Sequence, residues 1–328
     1  MKAVVITRYG GVETLAWQDV PEPRPGPGDL LVRIRAGALN RADILQRQGL
    51  YPPPEPRGEF EIPGLEFAGE VESIGQNVSG FTLGDRVMGI TVAGGQAEKL
   101  AVPAGLAMRV PANFEWTQAA SIPEVFITAH DALLRQGALC AGESVLIHAA
   151  GSGVGIAAIQ VAKGAAARPV IGTAGSETKL AQARELGLDV GIDYRQQDFV
   201  SIVREATAGM GVNVIVDLVG ARYWDSNIRA LALKGRLLLI GLLGGTTTQI
   251  NLGTLLAKRL TIRGTTLRSR SLQEKIAATR AFESWGLPLL ASGRMQPVID
   301  SVYSMSQIRE AHCRMESNTN FGKIVLLP

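Results

Sequence analysis

The residues best suited to chemistry lie in the run Ser144-Val145-Leu146-Ile147-His148-Ala149-Ala150-Gly151-Ser152-Gly153-Val154-Gly155. Its pattern predicts a buried strand, a glycine-rich turn, and a helix from 156 to about 163. Such a junction aims unpaired backbone N–H groups and a helix N-terminus at an anion, which suits the pyrophosphate of a dinucleotide. Ser152, Gly153, Val154 and Gly155 are the residues expected to hold it, with Thr128 reaching it from the preceding helix.

The choice of dinucleotide can be read separately. A site for NAD normally carries an acid about 20 residues past the glycines, where it holds the ribose 2′-hydroxyl. Here that place is taken by Gly175, and Ser176 follows as a cap for the next helix. Lys179 falls in the first turn, where a cation is disfavoured by the helix dipole unless an anion is near. A 2′-phosphate supplies that anion and Gly175 allows its close approach, so the expected cofactor is NADPH. The plainer alternative leaves Ser176 and Lys179 as a cap and a solvated side chain, and Glu177 argues mildly against an anion. Further cofactor walls are expected at the carboxyl ends of strands: Val219 and Gly220, then Gly241, Leu242 and Leu243, then Thr265, Thr266 and Leu267.

These residues need a scaffold, and the chain divides into three stretches. From 1 to 121, short β-like runs (30–35, 68–74, 86–90, 100–103) alternate with Pro/Gly turns, the rhythm of a barrel-like β module. From 122 to 263 the rhythm becomes strand–helix, with strands expected at 144–149, 169–174, 190–193, 213–218, 236–240 and 260–263. That alternation predicts an α/β fold with a parallel, doubly wound sheet of six strands. From 264 to 328 a helix at 272–290 and β pieces at 297–303 and 323–327 are too little for a domain, so this tail is expected to complete the first module.

Composition narrows the class. The 328 residues are 46% hydrophobic and 19% charged, which fits a chain with substantial cores. The formal charge of +3 comes from 33 basic and 30 acidic residues with no basic stripe, so nucleic acid is not an expected partner. Cys140 and Cys313 form neither a disulfide framework nor a metal-ligand spacing, pointing to a reducing cytoplasm. The start of the chain is too soon polar for a signal peptide, and the most apolar window, 144–167, is broken by His148, Gln160 and Lys163, so no membrane span is expected. Zinc is not expected either: neither cysteine lies in the first module, His130, His148 and His312 are scattered, and Leu65 stands where a zinc dehydrogenase places a histidine.

Taken in order, Asn40-Arg41-Ala42-Asp43, Pro63-Gly64-Leu65-Glu66, Gly84-Asp85-Arg86-Val87, Ala119-Ala120-Ser121-Ile122-Pro123, the Gly151–Gly155 loop and Phe321-Gly322-Lys323-Ile324-Val325 span the whole chain. Together they resemble the medium-chain dehydrogenase/reductase superfamily, in its zinc-free quinone oxidoreductase branch and most closely the p53-inducible type. Ser152 departs from the glycine usual in the branch and is shared with that type. The resemblance implies a GroES-like catalytic domain (1–121 and 264–328) joined to a Rossmann domain (122–263). It implies an NADPH-dependent quinone oxidoreductase. It also implies a homodimer paired through the edge strand at 260–267, Tyr194 as a further contact to the adenosine phosphate, and Asn320 near the cofactor. An enoyl or 2-alkenal reductase is the alternative activity. A non-catalytic crystallin-like or RNA-binding role is the alternative of another class, because the wider branch contains both.

Within that reading the reduced cofactor carries the chemistry and the protein aligns it. Tyr51 is the candidate proton donor or acceptor-positioning residue, with stacking on the nicotinamide ribose as the bland alternative. Asn40 could orient an acceptor carbonyl or merely stabilise a turn. The loop 50–62, with Pro52, Pro53 and Pro54, is expected to shape the acceptor pocket for a quinone or an activated alkene. Asp43 and Arg47 read as a surface i,i+4 pair, Glu66 as a domain anchor, and His148 as a satisfied buried imidazole.

Overall fold

Six apolar runs in the middle of the chain pair into one parallel sheet. They are Val145–Ile147, Val170–Ala174, Val190–Asp193, Val212–Asp217, Leu231–Leu239 and Thr261–Gly264. Their spatial order is third, second, first, fourth, fifth, sixth. This is the order of a doubly wound sheet, whose reversal between the first and fourth strands opens a crevice at the carboxyl ends. Val145–Ile147 and Val170–Ala174 are buried at every position, as inner strands covered on both faces must be. Leu146, Ile171, Ile192, Phe199, Ile215 and Leu237 belong to one core cluster beneath the helices.

This computed structural model describes residues 1–54 and 59–328. The chain forms two compact units, one of Thr128–Thr266 with Ser292–Met295, the other of Met1–Ile127, Leu267–Ala291 and Gln296–Pro328. In the second of these, the long strand Asp29–Leu39 is the hub. It pairs antiparallel with Glu66–Ile74, Lys99–Pro103 and Lys323–Leu327. Through that last strand the C-terminal tail closes the same sheet as the first forty residues, because Ile324 lies opposite Leu39.

Two boundaries differ most from expectation. The helix after the glycine-rich turn begins at Gly153, not at 156, since the Ser152 Oγ accepts the Gly155 N–H at 3.0 Å and starts the first turn early. The fifth strand begins at Leu231, five residues sooner than the pattern suggested. Lys234 interrupts it at a φ of 61°, which broke the apolar run in the sequence without ending the pairing.

Candidate functional site

In the sheet-bearing unit, the strand–turn–helix at 145–164 is built for close approach. A side chain at Gly155 would place its Cβ 2.2 Å from the Ala149 carbonyl oxygen, so no other residue fits that turn. Gly153 and Val154 head the helix, where their N–H groups have no intrahelical acceptor, and both are partly exposed. The donors expected to face a phosphate are therefore present and reachable.

The second cluster forms at the end of Val170–Ala174. A Cβ on Gly175 would meet the Tyr194 hydroxyl at 2.7 Å and the Arg195 Nε at 3.2 Å. Ser176 caps the helix Glu177–Glu185, its Oγ accepting the Lys179 N–H. Glu177 is exposed and ion-paired with Arg184. Gly175, Ser176, Lys179 and Tyr194 thus share one end of the sheet, and Arg195 joins them unforeseen. Its place directly after Tyr194 was the signal available in the sequence.

A third group lies past the fourth and fifth strands. Gly220 has φ 80° and ψ −129°, a conformation open essentially to glycine, and a Cβ there would meet Leu242 at 2.8 Å. Leu243 and Gly244 donate to the Leu218 and Val219 carbonyls, so the turns at 217–220 and 241–245 are stitched together. A hollow of about 270 Å³ beside them is lined by Gly220, Ala221, Trp224, Leu239 and Leu242. Thr265 donates to the Leu239 carbonyl at the end of the fifth strand. Thr128 is partly exposed in the same unit, whereas Leu267 and Asn320 belong to the other. Asn320 donates to the Gly322 carbonyl at 3.1 Å.

The turn at 217–220 is held by a buried polar chain. The Asp217 carboxylate accepts the N–H of Val219 at 2.6 Å, that of Gly220 at 3.1 Å and the Asn227 Nδ2 at 3.0 Å. Because the Asn227 amide nitrogen faces Asp217, its Oδ1 must accept from His148 Nε2, 2.7 Å away. His148 Nδ1 then accepts from the Thr173 hydroxyl at 2.9 Å. Burial holds the imidazole neutral, its pKa lowered to about 4 against the Asn227 bond, and raises Asp217 to about 6 against its three donors.

In the other unit, Asn40 sits at the head of the helix Arg41–Arg47, 9% exposed. Its Nδ2 donates to Glu66 Oε1 at 2.9 Å and more weakly to the Ala38 carbonyl, while its Oδ1 accepts from Lys323 Nζ at 2.6 Å. Lys323 is ion-paired with Glu66 at 2.7 Å, both nearly inaccessible. Asp43, fully buried, accepts the N–H of Asn40 and of Gly64, and burial raises its pKa to about 6. The expected surface pair of Asp43 and Arg47 is therefore not there. Arg47 is 2% exposed and turns away to Glu316, the Gly10 carbonyl and His312 Nδ1, because this helix packs on the side where both residues point.

Tyr51 is half-buried, with the Arg268 guanidinium 5.1 Å over its ring and donating to its carbonyl oxygen. Arg268 also grips the Val92 carbonyl and Gln46 Oε1, which ties this loop to the turn after the strand Arg86–Ile90 and to the helix Arg41–Arg47. Pro52, Pro53, Phe60 and Glu61 line a hollow of about 480 Å³. Of the loop 50–62 expected to shape the acceptor pocket, residues 55–58 lie outside the described residues. Among the described residues, no group of three or more His, Cys, Asp or Glu is arranged to hold a metal.

Known proteins carry the same two parts. Residues 26–112 match the alcohol dehydrogenase GroES-like domain and residues 153–283 the zinc-binding dehydrogenase domain. The chain is 34% identical to a quinone oxidoreductase of Pseudomonas aeruginosa, over all of this chain and 99% of that one. It is 32% identical to the quinone oxidoreductase of Lama guanicoe, covering 97% of it. The crystal structure of Escherichia coli quinone oxidoreductase complexed with NADPH superposes with a TM-score of 0.89 at 29% identity, each chain covered in full.

Proposed function

Because the chain belongs to the quinone oxidoreductase branch of the medium-chain dehydrogenase/reductase superfamily, we propose that it is an NADPH-dependent reductase of quinones. Residues 122–263 act as the dinucleotide-binding domain, and 1–121 with 264–328 as the acceptor-facing domain. The observation that carries the choice of NADPH is the cluster at Gly175. Tyr194 and Arg195 close over a glycine where an acid would otherwise hold a ribose hydroxyl, and Lys179 stands in the adjoining first turn.

Gly153 and Val154 donate to the pyrophosphate, with Ser152 keeping the turn in shape and Thr128 alongside. Ser176, Lys179, Tyr194 and Arg195 surround the 2′-phosphate. The turns at Val219 and Gly220 and at Gly241, Leu242 and Leu243 line the nicotinamide half with Thr265 and Thr266. Bound there, the reduced nicotinamide supplies the hydride. Tyr51, clamped by Arg268, positions the acceptor. Asn40 acts through the turn it holds with Glu66 and Lys323, since both its amide donors are engaged within the protein. The reading stays metal-free, since Leu65, next to Glu66, has no ligating atom.

Among the described residues, the edge strand Thr261–Gly264 is paired on one side only. Leu243, Ile250, Leu252 and Leu256 are exposed in the same unit, which supports a homodimer through this edge. Among the described residues, no helix is long and apolar enough to cross a membrane. With two exposed free cysteines, Cys140 and Cys313, a cytoplasmic location fits best.

Steady-state assays test the activity. NADPH oxidation is expected with 1,2- or 1,4-quinones at a higher kcat/KM than with crotonyl-type alkenes. Faster turnover of the alkenes would replace this reading with that of an alkene reductase, and tight NADPH binding without any turnover would point to a non-catalytic protein.

A further inference from the structure

Two-electron reduction of a quinone needs a proton in addition to the hydride, and the groups described so far are poorly placed to give one. Asp43 accepts two backbone N–H groups and Glu66 is locked to Lys323 and Asn40. Glu124 stands apart from them. It lies in the first turn of the helix Pro123–His130 and is partly exposed, and its carboxyl makes no hydrogen bond or ion pair with a described residue. Its backbone N–H donates to Glu66 Oε2 at 2.9 Å, while the other oxygen of Glu66 holds Asn40. The backbone of Glu124 is therefore anchored on the carboxylate that also fixes Asn40.

We propose that Glu124 is the catalytic acid of this site, delivering the proton that completes reduction of the acceptor. This rests on the reading of the protein as a quinone reductase. The surroundings keep the group in the acid form. Burial and then repulsion from Glu66 push it up to about 8; Lys323 pulls the other way, Asp43 adds to the rise and Arg268 opposes it. At neutral pH it is a carboxylic acid with a proton to give, the condition a general acid must meet.

The step balances. The hydride brings one proton and an electron pair to the quinone, and the nicotinamide is left oxidised. The O–H bond of Glu124 breaks, its electron pair stays on the carboxylate, and a new O–H bond forms on the reduced quinone. Water returns a proton to the carboxylate before the next turnover. Arg268, whose charge acts on Glu124, also donates to the Tyr51 carbonyl oxygen and so links the acid to the acceptor-positioning tyrosine.

The test uses Glu124→Gln, which keeps size and shape but has no acidic proton, with Glu124→Asp as the conservative rescue. In the wild-type protein kcat should be level near pH 7 and fall about tenfold per pH unit above roughly 8. Glu124→Gln should lower kcat on the order of 100-fold and lose that fall, while Glu124→Asp and Tyr51→Phe should keep it. A readout that needs no turnover is the carboxylic-acid C=O stretch in infrared difference spectra. A band titrating near pH 8 should be present in the wild type and missing from Glu124→Gln. A Glu124→Gln protein with the wild-type rate and pH profile, or with the band intact, would overturn the proposal. Failure of the wild type to reduce any quinone would instead overturn the assignment of activity, and the infrared titration would still decide the state of Glu124.

Discussion

At the scale of single residues, the strongest inference from the sequence concerned an absence: no acid follows the glycine-rich loop at the distance where NAD would need one. The folded chain adds what fills that place, since Tyr194 and Arg195 come from beyond the next strand to stand over Gly175. Charge-assisted bonds to a phosphate are among the stronger polar contacts. Lys179→Ala and Arg195→Ala should each raise the KM for NADPH roughly tenfold and leave the KM for NADH nearly unchanged. Equal effects on both cofactors would remove the phosphate assignment. Local pattern failed at Asp43 and Arg47. Spacing of four residues identifies neighbours on a helix, but it does not say whether that face meets water or protein, and here it meets protein.

At the scale of elements, the polar chain Thr173, His148, Asn227, Asp217 joins two strands and a helix to the turn at Val219 and Gly220. His148 was legible as a buried, satisfied imidazole because it continues an apolar strand. Its partners were not, since they lie 25 and 79 residues away. The arrangement has a pH signature. The unfolded chain binds a proton on His148 below about 6.5, whereas the folded one keeps it neutral to about 4. The stability it contributes is therefore complete above pH 6.5 and lost as pH falls toward 4. Asp217, raised from 3.8 to about 6, acts in the opposite sense, favouring the folded state as pH falls through 6. Against this background His148→Gln, which can still donate to Asn227, isolates the histidine. The stability difference between wild type and variant should shift by about 2 kcal/mol against the wild type from pH 7 to pH 5, measured by urea unfolding. A constant difference would mean that His148 is not held neutral.

At the scale of the whole molecule, the order of the six strands decides where the carboxyl-end turns gather, and among the described residues it leaves Thr261–Gly264 at one edge, where the proposed second copy would add. Leu256 is 79% exposed in the helix Leu252–Lys258 just before that edge strand, and Leu252, one turn earlier, is exposed as well. Sedimentation should give the mass of two chains, and Leu256→Glu should shift the equilibrium to one. A wild-type protein that runs as a single chain would remove the dimer.

Periodicity and glycine placement, both local properties, were enough to set out the two kinds of secondary structure, the order of the strands in the chain and the glycine-rich turn. Short-range sterics govern each of these, so a window of a few residues contains the answer. The isolation of Glu124, the burial of Asp43 and the grip of Arg268 on Tyr51 depend on residues scores to hundreds of positions apart. Only folding brings such groups out of water and into one another's fields, and with that it decides which acid keeps its proton.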